Sequence, residues 1–232
     1  MRHTNNNRQG YHVRYLTTLL LLVVLSDCIA LEVNSGEDKL TLLELYTSEG
    51  CSSCPPADRW ISKLMDDPRL WKKIIPLSFH VDYWNYLGWE DRFSELRFSK
   101  RQRTHKQQGN VNSVYTPGIL VDGKEWRGYF VDLQIPEADS DKPGNLRLAL
   151  QKNQASVEFD NNKATLVAHL VVLGTGIESH VKRGENANRT LNHHFVVLNY
   201  QRAKSQDGNW TFDVRLTPEY TAVAAWISST RN

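Results

Sequence analysis

Cysteine is scarce in this chain: three residues in 232, at positions 28, 51 and 54. That excludes a scaffold stapled by many disulfides and a four-cysteine zinc site. Long hydrophobic runs are also lacking. The most apolar stretch, Leu16 to Leu25, broken only by Thr17 and Thr18, falls well short of the roughly 20 residues that a membrane-spanning helix needs. Charge of one sign does not dominate either, with 28 basic against 26 acidic residues and a net charge of +2. That near-balance removes the electrostatic case for nucleic acid or an anionic membrane surface as a partner. Hydrophobic residues are plentiful at 40%, enough to bury a core.

The first 30 residues read as a leader. Arg2, Arg8 and Arg14 precede the short apolar run, and Ala30 offers a small residue before a polar stretch. This is the pattern of a secretory signal peptide, cut after Ala30, leaving no membrane span in the mature chain and placing it in the periplasm or outside the cell. Two other readings of the leader stand beside it: lipid attachment at Cys28, against which Asp27 argues, and an uncleaved anchor. Removal of the leader takes Cys28 with it. Cys51 and Cys54 are then the one pair available for a disulfide within the chain.

The pattern after residue 40 alternates element types. Leu40 to Thr47 reads as a buried strand ending at Ser48-Glu49-Gly50. Cys51 and Cys54 follow at once. Pro55 and Pro56 then place a helix start at the cysteines, because proline is welcome in a helix's first turn. Ile74 to Val81 is a second strand, and a strand–helix–strand unit of this kind closes with a right-handed crossover and parallel strands. Trp89 to Gln108 reads as one or two amphipathic helices. Thr116-Pro117 leads into Gly118 to Val121, and Asp122-Gly123 signals a hairpin returning over Glu125 to Phe130. Leu146 to Leu150 reads as a closing helix. That order is the thioredoxin arrangement.

Beyond residue 155, alternating or apolar runs at 157–159, 164–173, 195–200, 210–216 and 221–227 are punctuated by turn signals such as Gly174-Thr175-Gly176 and Asp207-Gly208-Asn209. The fold class expected is therefore an α/β thioredoxin-like domain, residues 31–154, followed by a small antiparallel β, sandwich-like domain, residues 155–232.

Two residues between cysteines allow a disulfide to close. A helix start favours a thiolate at the first of them and leaves the second shielded one turn in. Cys51 is thus the expected nucleophile and Cys54 the resolving thiol. Thr116 and Pro117 are expected to face them, with the Thr116 backbone free to pair with an extended substrate. The substrate class is a protein or small-molecule thiol or disulfide. No cofactor and no metal are required, and sequence does not set the direction of exchange. Two rivals use the same residues: a copper-handling module recruiting His80 or His105, and a non-catalytic peptide-binding module with a static disulfide.

Four further features carry weaker signals. Glu44, inside an apolar strand, is either a proton relay or an edge residue facing solvent, the latter favoured. The aromatic stretch from Asp82 to Trp89 lines either a groove beside Cys51 or the core. Lys100 to Lys106, four cations and a histidine, reads as a solvated helix face. Asn188 and Asn209 stand in N-glycosylation acceptor patterns.

The segment from Glu44 to Asp58 (ELYTSEGCSSCPPAD) resembles the DUF1223 family of exported thioredoxin-like proteins of unknown function. So do Ser78 to Trp84 with Leu87-Gly88-Trp89, Ser113 to Pro117 with Val121-Asp122-Gly123, and Arg183 to Asn186 with Arg189-Thr190-Leu191. The resemblance runs from about residue 40 to the C-terminus and implies a thioredoxin-like fold, a following β domain and an exported location. It implies no substrate. Gly118 departs from the apolar residue that the family leads one to expect after Thr-Pro, and is expected to loosen the loop opposite Cys51. The Gly184 to Leu191 stretch reads as a polar turn.

Overall fold

The structure is a computed structural model that describes residues 31–161, 164–216 and 218–230. The leader and Cys28 lie outside the described residues. In chain order the first elements are β1 (Leu31–Asn34), β2 (Thr41–Thr47), α1 (Pro55–Ser62), β3 (Ile74–His80), α2 (Leu96–Gln107), β4 (Gly118–Val121) and β5 (Lys124–Glu125). There follow β6 (Leu146–Gln151), β7 (Gln154–Phe159), β8 (Leu166–Gly174), β9 (Ile177–His180), β10 (Thr190–His193), β11 (Val196–Ser205), β12 (Asn209–Asp213) and β13 (Tyr220–Ser229). The chain is thus mostly β-sheet with two α-helices among the described residues. Among the described residues no helix is long and apolar enough to cross a membrane.

The expected strand–helix–strand unit is present. β2 and β3 pair in parallel through seven residues, from Thr41↔Ile74 to Thr47↔His80, and α1 connects them. β4 pairs antiparallel with β2, Tyr46 against Gly118. Both faces of β2 are covered, which explains its near-continuous apolar run. Leu43 and Leu45 pack under α1 with Ala57 and Ile61. Tyr46 packs on the other face with Phe79 and, from α2, Phe98.

The sheet does not stop at β3. Its order is β13-β8-β11-β3-β2-β4-β5, because β11 joins β3 in parallel at Val196↔Ser78. One seven-stranded sheet therefore runs across the position-154 division expected from sequence, which itself falls at the start of β7. A four-stranded sheet, β1-β6-β7-β12, shares a core with β8: Leu148, Val157, Trp210 and Phe212 meet Ala168, Leu170 and Val172. The antiparallel sandwich expected of the C-terminal half is thus built partly from strands of the larger sheet.

Two expectations need correction. Leu146 to Leu150 is strand β6, not a closing helix, and it lies between β1 and β7. Its leucines at 146, 148 and 150 repeat every second residue, the strand period, which the apolar count alone conceals. The return from the Asp122-Gly123 turn is only two residues long. Trp126 then leaves the sheet to stack on Trp60 of α1, ring centroids 5.6 Å apart.

Candidate functional site

At the end of β2 the chain turns tightly. The Cys51 amide donates to the Ser48 carbonyl at 3.2 Å, and the Cys54 amide to the Cys51 carbonyl at 3.2 Å. Gly50 is required here by close approach: a Cβ on it would lie 2.9 Å from the Cβ of Trp84. Cys54 is the N-cap of α1, with Pro55 and Pro56 in the first turn, and its carbonyl accepts from the Ala57 and Asp58 amides. Cys51 and Cys54 form a disulfide, Cα atoms 5.4 Å apart.

The Thr116 carbonyl comes close to this pair. The Ser53 hydroxyl lies 3.3 Å from the Cys51 sulfur and 3.5 Å from the Thr116 carbonyl. The Thr116–Pro117 peptide is cis. The aromatic stretch is part of the same site: the Trp84 indole N–H donates to the Thr116 hydroxyl at 2.7 Å, and that of Trp89 to Glu49 at 2.6 Å. Gly118 does not loosen the loop. A Cβ there would meet the Tyr115 carbonyl at 2.8 Å, and the open space lets the Gln102 amide donate to that carbonyl at 2.7 Å.

Beneath the disulfide lies a buried charged cluster drawn from five segments. The Asp91 carboxylate takes His80 Nδ1 at 2.7 Å and accepts from the Glu49 amide at 2.9 Å. Glu49 meets His193 Nε2 at 3.2 Å. The His80 and His193 rings cross with centroids 5.0 Å apart. Asp58, one turn into α1 from Cys54, accepts from the Thr47 hydroxyl at 2.8 Å.

Burial shifts these groups in opposite directions. It pushes the Asp58 carboxyl up, and the nearby histidines only partly offset it. Burial also penalises charge on Asp91, but His80 outweighs it and holds Asp91 below the usual carboxylate range. The same pairing raises His80 against its own burial. Glu49 is lowered as well, despite the cost of its burial, by its hydrogen bonds with His193 and Trp89. A cluster of carboxyls and imidazoles with divergent affinities can store and pass a proton.

The disulfide has a cover. Cys51 and Cys54 are both fully buried, and the covering residues come from the loop between β9 and β10. Asn186 donates through Nδ2 to the carbonyls of Glu49 and Cys51, both at 2.9 Å. Glu185 accepts from the Ser52 amide at 3.0 Å. The stretch expected to be a plain polar turn therefore sits on the cysteines.

A second buried pair lies on the α2 side. Glu44 is fully buried, not solvent-facing. Arg101 donates to both of its carboxylate oxygens at 2.8 Å and Tyr46 donates at 2.9 Å. The 100–106 segment is thus only partly a solvated face. His80 and His105, the histidines a soft metal would recruit, are engaged with Asp91 and with Asn110 beside Glu44. Among the described residues no group of three or more His, Cys, Asp or Glu side chains is arranged to hold a metal.

Sequence reasoning missed Asp58, Asp91, His193, Glu185 and Asn186. Asp58 carried a readable signal, being four residues after Cys54 and so on the same helix face. The others converge from distant segments that no local pattern links.

The sheet and the buried cysteine turn define a mixed, largely β protein built around one strand–helix–strand unit with a short-range disulfide. The chain belongs to the DUF1223 family, described as proteins of unknown function, whose model matches residues 42–227. No curated protein matches it. Two solved structures share the fold. One is a structural-genomics crystal structure of a protein from Agrobacterium tumefaciens, 20% identical, with 82% of this chain and 93% of that chain covered at a TM-score of 0.54. The other is HBP35 of Porphyromonas gingivalis, 16% identical, with 83% of this chain and 70% of that one covered at a TM-score of 0.52.

Proposed function

We propose that this protein is a thioredoxin-like thiol–disulfide oxidoreductase that works outside the cytoplasm, exported by its leader. The observation that carries the reading is the Cys51–Cys54 disulfide at the start of α1, with the Thr116 carbonyl 3.5 Å from the Ser53 hydroxyl between the cysteines. A helix end favours a thiolate at the first cysteine, and the Thr116 backbone beside it is the segment an extended substrate would pair with.

In the oxidising direction a substrate thiolate attacks the Cys51 sulfur. The new S–S bond forms as the Cys51–Cys54 bond breaks, and Cys54 leaves as a thiolate. Asp58, buried one turn into α1 with its proton affinity raised, protonates the Cys54 thiolate and is itself reprotonated from solvent. A second substrate thiolate then attacks the substrate sulfur and releases Cys51 as a thiolate. Two substrate thiols have become a disulfide, and the protein disulfide has become a dithiol. The reducing direction is the reverse, and the partner's potential selects between them.

Trapping tests this. In Cys54→Ser, Cys51 retains substrate because no resolving thiol remains, so mixed disulfides accumulate in cells exporting the variant. Recovery of none, from folded variant, contradicts the proposal. A static disulfide is the second reading, favoured by the complete burial of Cys51. It predicts a pair that does not exchange while the chain stays folded.

A further inference from the structure

Full burial of Cys51 conflicts with exchange at its sulfur unless something moves. One loop, residues 181–189 between β9 and β10, hydrogen-bonds to the backbone of the cysteine turn. Inside this loop the Asn188 amide donates to the Val181 carbonyl at 2.8 Å and the Ala187 amide to the Gly184 carbonyl at 3.2 Å, so it is a folded turn. Its contacts with the cysteine turn are polar and specific. The Asn186 amide holds two carbonyls, those of Glu49 and Cys51, and Arg189 Nη1 fixes the Asn186 oxygen at 2.8 Å. The exposed Glu185 accepts from the Ser52 amide.

These contacts use a donor and an acceptor that flank the disulfide: the Ser52 N–H and the Cys51 carbonyl. An incoming polypeptide would need both. We propose that residues 183–189 are a redox-responsive cap, closed over the Cys51–Cys54 disulfide and released when the pair is reduced, so that the cap sets which thiols reach Cys51. This rests on the exchange reading above. The physical link is charge. The disulfide is neutral and tolerates the Glu185 carboxylate on the Ser52 amide. Reduction places a Cys51 thiolate next to the same amide, where two anions compete for one donor and repel.

The test is the rate at which dithiothreitol reduces the disulfide in the whole protein, followed by acid quench and thiol alkylation. Asn186→Ala removes both carbonyl contacts and is expected to accelerate reduction at least tenfold. Glu185→Ala, at an exposed position that does not threaten folding, is expected to accelerate it several-fold. Hydrogen exchange at the Ser52 amide is expected to lose at least tenfold of its protection on reduction of the wild type. Folded variants reduced at the wild-type rate would overturn the cap and leave the exchange reading standing. A pair that stays oxidised in both folded variants would overturn the exchange reading, and the cap with it. Equal Ser52 protection in the two redox states would overturn the redox-linked release.

Discussion

The Asp91 carboxylate and His80 Nδ1 meet at 2.7 Å with both side chains almost wholly out of water. The pair ties the end of β3 to the segment after the aromatic stretch, and the same carboxylate holds the Glu49 amide two residues before Cys51. Removing one member leaves the other buried and uncompensated. Asp91→Asn is therefore expected to destabilise the fold by about 3–5 kcal/mol, measured by urea unfolding. The pH dependence has a definite sign. His80 is raised in the folded state, so its contribution is complete below about pH 6.5 and fades as pH rises through its folded value. Asp91 is lowered, so its contribution is present above about pH 4 and is lost as pH falls through its folded value. The wild type minus Asp91→Asn stability difference should be greatest between those limits.

Asp58 behaves oppositely. Its carboxyl is raised by burial, so it favours the fold at low pH, and that contribution is lost as pH rises from its unfolded value through its folded one. Asp58→Asn should raise the thermal midpoint at pH 8 relative to pH 4, compared with wild type. It should also slow the step that depends on proton transfer at Cys54, by tenfold or more on the scale of general acid–base contributions. Stopped-flow measurement of mixed-disulfide resolution checks the second effect, and an unchanged rate would remove Asp58 from the mechanism.

Glu44 and Arg101 test the core without touching the cysteines. Arg101 draws the Glu44 carboxyl down to about 2 despite its burial. Its stabilisation is thus present above the ordinary glutamate value and is lost as pH falls toward 2. Arg101→Met is expected to cost about 3–5 kcal/mol, and Arg101→Met with Glu44→Leu to recover much of it, since a hydrophobic replacement of a buried pair is often tolerated. Chemical denaturation of the two variants decides the point.

Gly118 tests the loop opposite Cys51. A Cβ there would crowd the Tyr115 carbonyl at 2.8 Å, a backbone atom that yields only by shifting the loop. Gly118→Ala should cost about 1–3 kcal/mol, the range for inserting a methyl group into a packed site, and calorimetry measures it.

Much of this was legible in the sequence where the signal was local. Pro55 and Pro56 after Cys54 mark the start of α1, and the apolar runs at 40–47 and 74–81 are the paired strands β2 and β3. The order of elements leads from the cysteines to Thr116, whose carbonyl lies 3.5 Å from the Ser53 hydroxyl. What failed was long-range. Nothing near Glu44 indicates that Arg101, 57 residues on, will bury it. Nothing near Gly184 or Asn186 indicates that a hairpin loop 135 residues after Cys51 will close over it. The continuation of the sheet from β3 into β11 was illegible for the same reason: a single parallel register contact, Val196 with Ser78, joins halves whose textures differ. β6 is hard to read from composition because leucine serves helix and strand alike, and only its spacing distinguishes them.

The most direct measurement is equilibration of the protein in glutathione buffers of stepped potential, with the Cys51–Cys54 state counted by alkylation and the fold followed by circular dichroism. One reversible two-electron transition is expected, with the chain folded on both sides of it. A disulfide that persists across the whole series, or a chain that unfolds as soon as the bond is broken, would contradict it.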